Sequence, residues 1–255
     1  MARSKILAIV TALAATAAQA QPQAPASPLI AASPTPEAAA AVPPCRPKSL
    51  VSMTVRNVTP GLQASDPRAQ PKRLWRKSEK FLRSLEQPVV SQALQDPNAP
   101  MARQALVIVA EPDVWMIDMA SREGRHSVDK GPVLEVRAPI FGPGTAPPEF
   151  MGLEYGCEAE FVAIRSPLAK RNIRWGGVDA RIHTYVVGTA SLAILLNDRT
   201  SEPLIVTYVR DGRPITIISY DEYRRDQPDQ PELFRPPADV KITEAEAPLG
   251  ARPLD

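Results

Sequence analysis

The stretch Leu204-Ile205-Val206-Thr207-Tyr208-Val209-Arg210-Asp211-Gly212-Arg213-Pro214-Ile215-Thr216-Ile217-Ile218-Ser219-Tyr220 decides how this chain folds. Two apolar runs, 204–210 and 214–220, flank Asp211-Gly212, the signal of a two-residue type I′ turn between antiparallel neighbours. The reading is a hairpin inside a meander that occupies residues 180–240. Its strands carry apolar side chains on both faces, so something must cover each face. Just upstream, 181–187 and 189–196 read as strands around Gly188, taken as a bulge within one long strand rather than a turn.

Working outward, residues 50–58 alternate, with Val51, Met53 and Val55 on one side and Ser52, Thr54 and Arg56 on the other, which predicts a half-buried first strand. Residues 74–85 fit either a helix face or strand pairs around Lys77-Ser78, and two short strands are preferred. Residues 87–101 read as a loop with one helical turn. Residues 105–110 and 114–119 are strands split by Glu111-Pro112-Asp113, with Trp115, Ile117 and Met119 on one face and Val114 and Met116 on the other. Residues 125–128 return from a turn at 121–124, and 133–140 add a further strand. Phe150, Leu153, Cys157, Phe161 and Ile164 recur at three- and four-residue spacing, predicting a short amphipathic helix over 149–164, interrupted near Gly156 and placed to cover the sheet. The fold class is therefore α+β and mainly antiparallel β, with one domain over 45–243 and a flexible tail over 244–255.

Arg3 and Lys5 precede an unbroken apolar run over 6–18, too short to span a bilayer, and Ala18-Gln19-Ala20 supplies a small-x-small cleavage pattern. Residues 1–20 are read as a secretory signal peptide cleaved before Gln21, which places the protein in the periplasm and makes it no integral membrane protein. Cleavage removes two of the 30 basic residues and none of the 28 acidic ones, so the remainder is formally neutral. A neutral chain lacks the basic excess of a nucleic-acid binder. The basic cluster from Lys72-Arg73 to Lys77 reads as a solvated face. Residues 21–44, rich in Ala, Pro, Ser and Gln, form a disordered linker reaching on the order of 70 Å at about 3.1 Å per residue, either a spacer or a tolerated low-complexity leader. Cys45 and Cys157 form an even pair in an oxidising compartment, so one disulfide is expected, with two free thiols as the alternative.

The closing run Pro231-Glu232-Leu233-Phe234-Arg235-Pro236-Pro237-Ala238-Asp239-Val240, at the end of successive strands with a helical interruption, resembles the LolA superfamily of periplasmic lipoprotein carriers. That resemblance implies, for residues 48–243, a curved, unclosed half-barrel sheet covered by short helices. In the carriers the apolar interior receives acyl chains. No functional residue is carried over from the family.

Chemistry is sparse. His126 and His183 have neither metal-ligand spacing nor a neighbouring nucleophile, and both read as structural or partly exposed strand residues. No Gly-x-Ser-x-Gly elbow occurs, and 142–148 lacks the Gly-Lys-Ser/Thr ending of a phosphate loop. Glu154 and Glu158 read as a solvated pair on a helix face. The expectation is no enzyme, no metal and no cofactor. What remains is apolar area: Trp115, Ile117, Met119, Phe161, Leu192, Ile194, Val206 and Tyr208 are the candidate lining of a cavity between sheet and helices, although plain core packing uses the same residues. An acyl chain gains about 0.8 kcal/mol per buried CH₂ there without any precise polar site. The expected function is binding of a lipid or lipoprotein acyl group; the alternative is an envelope protein-interaction module with a filled core.

Overall fold

The computed structural model describes residues 45–63, 66–86 and 104–245. The leader, the linker, the loop expected over 87–101 and the last ten residues lie outside them. Among the described residues, twelve strands pair in one open sheet. β1 (Leu50–Asn57), β2 (Lys72–Lys77), β3 (Phe81–Glu86), β4 (Ala105–Ala110), β5 (Asp113–Asp118) and β6 (Glu123–Val128) form one meander. β7 (Ala169–Trp175), β8 (Val178–Val187), β9 (Ala190–Asn197), β10 (Pro203–Arg210) and β11 (Arg213–Gln227) form a second. The two join where β1 pairs antiparallel with β11, setting Leu50 opposite Gln227 and Asn57 opposite Ile218. β12 (Lys241–Glu244) adds to β6 as the only parallel pairing among them, so β12 and β7 are the two edges.

The turn at the centre of the 204–220 stretch is present. Asp211 and Gly212 both have positive φ, 51° and 72°, as a type I′ turn requires, and Arg210 pairs with Arg213 across it. The ambiguous 74–85 resolves as β2 and β3. Gly188 is a turn between β8 and β9, with Val187 opposite Ala190, and not the expected bulge in one long strand. The reason is that 181–196 carries enough apolar residues on both sides of Gly188 to fill two paired strands. Residues 133–140 form no strand; their pairing is a single bridge from Pro139 to Glu154. β12 runs to Glu244, one residue into the expected tail.

The expected helix over 149–164 shrinks to α1 (Glu158–Ile164). Gly156 has φ +89°, which is outside helical space, so the residues before it form turns instead. Phe150 and Leu153 are nevertheless buried, because residues 136–157 cross one face of the sheet as an irregular cover. One short helix and this segment, rather than several helices, make the covering layer. Beneath it the main core gathers Val51, Met53 and Val55 of β1 with Leu192 and Ile194 of β9, Val206 and Tyr208 of β10, and Ile218 and Tyr220 of β11. Fully burying each of Phe141, Phe150, Leu153 and Phe161 contributes about 1.5–3 kcal/mol by the usual apolar-area rule. The opposite face carries two smaller clusters, as the apolar residues on both sides of the strands required.

Candidate functional site

The covering segment is tied down at its end by polar groups that the sequence reading placed in solvent. Cys45 and Cys157 are bridged, with 5.7 Å between their Cα atoms, which pins the start of the domain to the residue before α1. Beside the bridge, Arg76 of β2 points into the layer between sheet and cover. Its Nη2 lies 2.8 Å from Glu154 Oε2 and donates to the carbonyl of Val136 at 2.9 Å, and its Nη1 donates to the carbonyl of Tyr155 at 3.2 Å. Glu154 also accepts from the Ala138 N–H at 3.1 Å and sits 2.7 Å from Arg137 Nε. Both Arg76 and Glu154 are 1% exposed, so this is a buried ion pair, compensated by the backbone groups of Val136, Ala138 and Tyr155 and by the Arg137 side chain, while Arg76 Nε has no hydrogen-bond partner among the described residues. The basic cluster on β2 is thus not wholly a solvated face.

Glu158, at the first turn of α1, is completely buried. Its carboxylate accepts the Gly156 N–H at 3.0 Å and the Tyr220 hydroxyl at 2.5 Å. Burial pushes its carboxyl up to about 7, against the opposing pull of the Tyr220 hydrogen bond. Burial, followed by the neighbouring Glu158 charge, also raises Tyr155, Tyr220 and Tyr223. Glu154 and Glu158, read as exposed partners on one helix face, are instead two separately satisfied buried carboxylates. Their i, i+4 spacing misled because Gly156 breaks the helix between them.

The expected cavity lining divides. Phe161, Leu192, Ile194, Val206 and Tyr208 do meet in the main core. Trp115, Ile117 and Met119 lie on the opposite face, packed with Leu106, Ile108 and Phe234. The space over the first group is occupied by protein: the Tyr208 ring is 5.3 Å from Phe141 and 6.2 Å from Phe150. What opens at the margin of this layer is a groove of about 320 Å³ between α1 and β8, lined by Phe150, Phe161, Leu168, Tyr185, Val186 and Val187. Ile164 is 54% exposed and Leu168 74%. A larger depression, about 640 Å³, runs over the ends of β4 to β6 and β12, where Met116 is exposed.

Both histidines sit on strands, His126 half-buried and His183 buried. His126, on β6, stacks on Trp115 and puts Nε2 2.9 Å from Asp113 and Nδ1 2.9 Å from Glu244 of β12. The hydrogen bond to Glu244 is the main cause of its raised pKa. Asp118 and Asp129, its acidic neighbours in sequence, are not its partners. His183, on β8, is 7% exposed, and burial, aided by Lys170 and Arg181, lowers its pKa. Among the described residues no group of three or more His, Cys, Asp or Glu side chains is arranged to hold a metal ion. No described helix is long and apolar enough to cross a membrane.

The two edges are unlike. At one, β12 covers β6, held by Thr243 Oγ1 on the Gly124 carbonyl and by the Ala245 N–H on the His126 carbonyl. At the other, β7 has no neighbour beyond it among the described residues. The sequence reading passed over β7 altogether. Its signal was Gly176-Gly177, both at positive φ, which joins it to β8.

No protein-family model matches the chain, and no curated protein matches it. Among solved structures, an uncharacterized conserved protein from Thermus thermophilus is similar at a TM-score of 0.42 and 11% identity, over 78% of this chain and 91% of that one. MucB, in a complex with MucA(peri), aligns at a TM-score of 0.39 and 11% identity over 76% of this chain, which spans 56% of the MucB chain. A LolA superfamily protein, NE2245 from Nitrosomonas europaea, aligns at a TM-score of 0.27 and 11% identity over 74% of this chain and 91% of that one. These are distant likenesses.

Proposed function

We propose that this chain is an exported, non-enzymatic envelope module that acts by binding another protein through its surface. The observation that carries this reading is the filled layer: Phe141, Phe150, Leu153 and Phe161 occupy the space over Leu192, Ile194, Val206 and Tyr208 that an enclosed ligand would need. The bridge at Cys45 and Cys157 and the buried Arg76–Glu154 pair hold that filling in place. A disulfide also suits an oxidising compartment, in keeping with the apolar leader over 6–18 and its Ala-Gln-Ala ending. The test is cross-linking in cells, with and without residues 21–44, alongside lipid extraction of the purified protein. The expected result is a discrete protein cross-link and lipid-free material; stoichiometric lipid with no protein cross-link overturns the reading.

One observation favours acyl binding as the second reading. The groove between α1 and β8 sets apolar side chains beside Glu149, Arg165 and Ser166, an acyl slot with a polar end for a head group, and its volume of about 320 Å³ falls at the small end of the usual 300–1,000 Å³ range of ligand sites. A fatty acid that displaces an apolar dye from the wild type and not from Val186→Glu would support it. Equal displacement from both proteins would remove it.

A further inference from the structure

The bare edge strand β7 has a composition unlike that of its neighbours. From Phe161 to Val178 the chain contains Arg165, Lys170, Arg171 and Arg174 and no acidic residue. Ala169 to Asn172 and Arg174 are all exposed, while Ile173 and Trp175 are half-buried. Among the described residues neither Lys170, Arg171 nor Arg174 has a carboxylate within ion-pair distance, whereas Arg181 on β8 is already paired to Asp198 at 2.6 Å. Pairing with β8 sorts the side chains: Lys170, Asn172 and Arg174 share the face of His183, Arg181 and Asp179, the last opposite Arg174 but beyond ion-pair distance, and Arg171, Ile173 and Trp175 share the face of Ile182, Ala180 and Val178. Among the described residues the outer edge thus offers a ladder of backbone groups with no neighbouring strand, two cations spaced four residues apart on one face, and Arg171 beside an apolar pair on the other.

A second copy of the chain does not suit this edge. Antiparallel pairing about a two-fold axis at Asn172 sets Lys170 opposite Arg174 of the other copy, and does so twice, and like charges directly opposite are destabilising. Cations on an edge strand deter such self-pairing. The same cations leave the backbone ladder open to a strand of opposite charge.

We propose that β7 is a docking edge for an acidic extended segment of a partner protein, which adds to the sheet as a thirteenth strand. Acidic side chains at alternate positions of the incoming strand face Lys170 and Arg174, and apolar ones between them meet Ile173 and Trp175. This inference rests on the interaction-module reading and specifies where the partner binds and what it carries.

The test uses the full mature chain and the capped peptide Glu-Val-Glu-Val-Glu-Val-Glu, with affinity measured by calorimetry at low and high salt. Its controls are the Lys-Val counterpart and an acidic peptide with two consecutive prolines at its centre, one of which removes a ladder donor in either register. The acidic strand is expected to bind, weaken with salt, and lose at least tenfold in affinity against the double variant Lys170→Glu, Arg174→Glu. That variant is expected to gain affinity for the Lys-Val peptide, a reversal that a misfolded protein would not give. Absence of acidic-strand binding, equal binding of the proline peptide, or self-association of the wild type in sedimentation each overturns the proposal. So does binding of vesicles containing anionic phospholipid through the same two cations in the absence of peptide binding. A discrete cross-linked partner combined with an edge indifferent to the peptide removes the edge alone; lipid without any partner removes the module reading itself.

Discussion

The β1–β6 and β7–β11 meanders share one sheet and differ in how each is finished. Behind the first, the closing segment lays Leu233, Phe234, Val240 and Ile242 over Trp75, Leu106, Ile108 and Ile117, and then pairs as β12 along the outer edge. Behind the second, the cluster of Ala180, Ile182, Ala193, Leu195, Ile205 and Ile217 is flanked by Val58, Ile173, Trp175 and Leu204, which belong to strands or to their immediate ends. The last segment of the chain follows the second meander yet serves the first. One half is sealed on face and edge, and the other, among the described residues, has no strand beyond β7, next to the groove at α1. The difference teaches that the later part of the chain closes one end of the sheet and, among the described residues, leaves the other end without a further strand.

The largest effect comes from breaking what both halves share. Substituting Cys45 and Cys157 by serine removes a link between residues 112 apart and lowers stability by about 4–5 kcal/mol in the chain-entropy treatment, read as a fall in the denaturation midpoint. The comparison sharpens with Phe234→Ala, which empties a buried site 5.1 Å from the Phe81 ring and costs about 3–5 kcal/mol. Trp175→Ala, at the half-buried end of β7, is expected to cost less than half as much in the same urea titration. Equal costs would show that the second half is sealed after all.

The buried carboxylate gives the next effect. Glu158 has a folded pKa of about 7, above its unfolded value, so the folded state binds the extra proton. Its contribution is complete below about pH 4.5 and is lost as pH rises through 7, about 3 kcal/mol across that window at 1.36 kcal/mol per unit. Glu158→Gln should flatten this part of the stability profile, and an unchanged slope would reassign it. The smallest effect belongs to the sealed edge. Only an imidazolium can donate from both ring nitrogens, to Asp113 and Glu244 together. The His126 pKa is raised, so the grip on β12 is full below about pH 6.5 and relaxes as pH climbs through the raised value. Hydrogen-exchange protection at Thr243 and Glu244, taken relative to the base-catalysed intrinsic rate at each pH, should fall over that range, and His126→Asn should remove the fall.

Strands with local instructions were legible. Asp211-Gly212 named its turn, and alternation through Val51, Met53 and Val55 named the covered face of β1. Strand β7 was missed because Ala-Lys-Arg-Asn-Ile-Arg-Trp has little apolar alternation, which is what an exposed edge looks like. The pairing of β12 with β6 has no local signature, since it joins residues far apart in sequence. The lining set failed for a related reason. Which side of β5 faces the cover depends on register passed strand by strand from β1, so alternation grouped Trp115, Ile117 and Met119 correctly with one another and could not say that they lie opposite Leu192 and Ile194. Glu154 and Glu158 could not be seen as buried without their partners Arg76 and Tyr220, which come from strands distant in the chain.

The seam between β1 and β11 has a consequence in time. The first described strand to emerge during synthesis must wait for the last long one, because Leu50 finds its partner at Gln227. Long-range pairings of this kind close slowly. Until Arg213–Gln227 has been delivered, one flank of β1 stays open and neither half can be joined to the other. A chain arranged in this way becomes a single sheet only once almost all of it is free to fold.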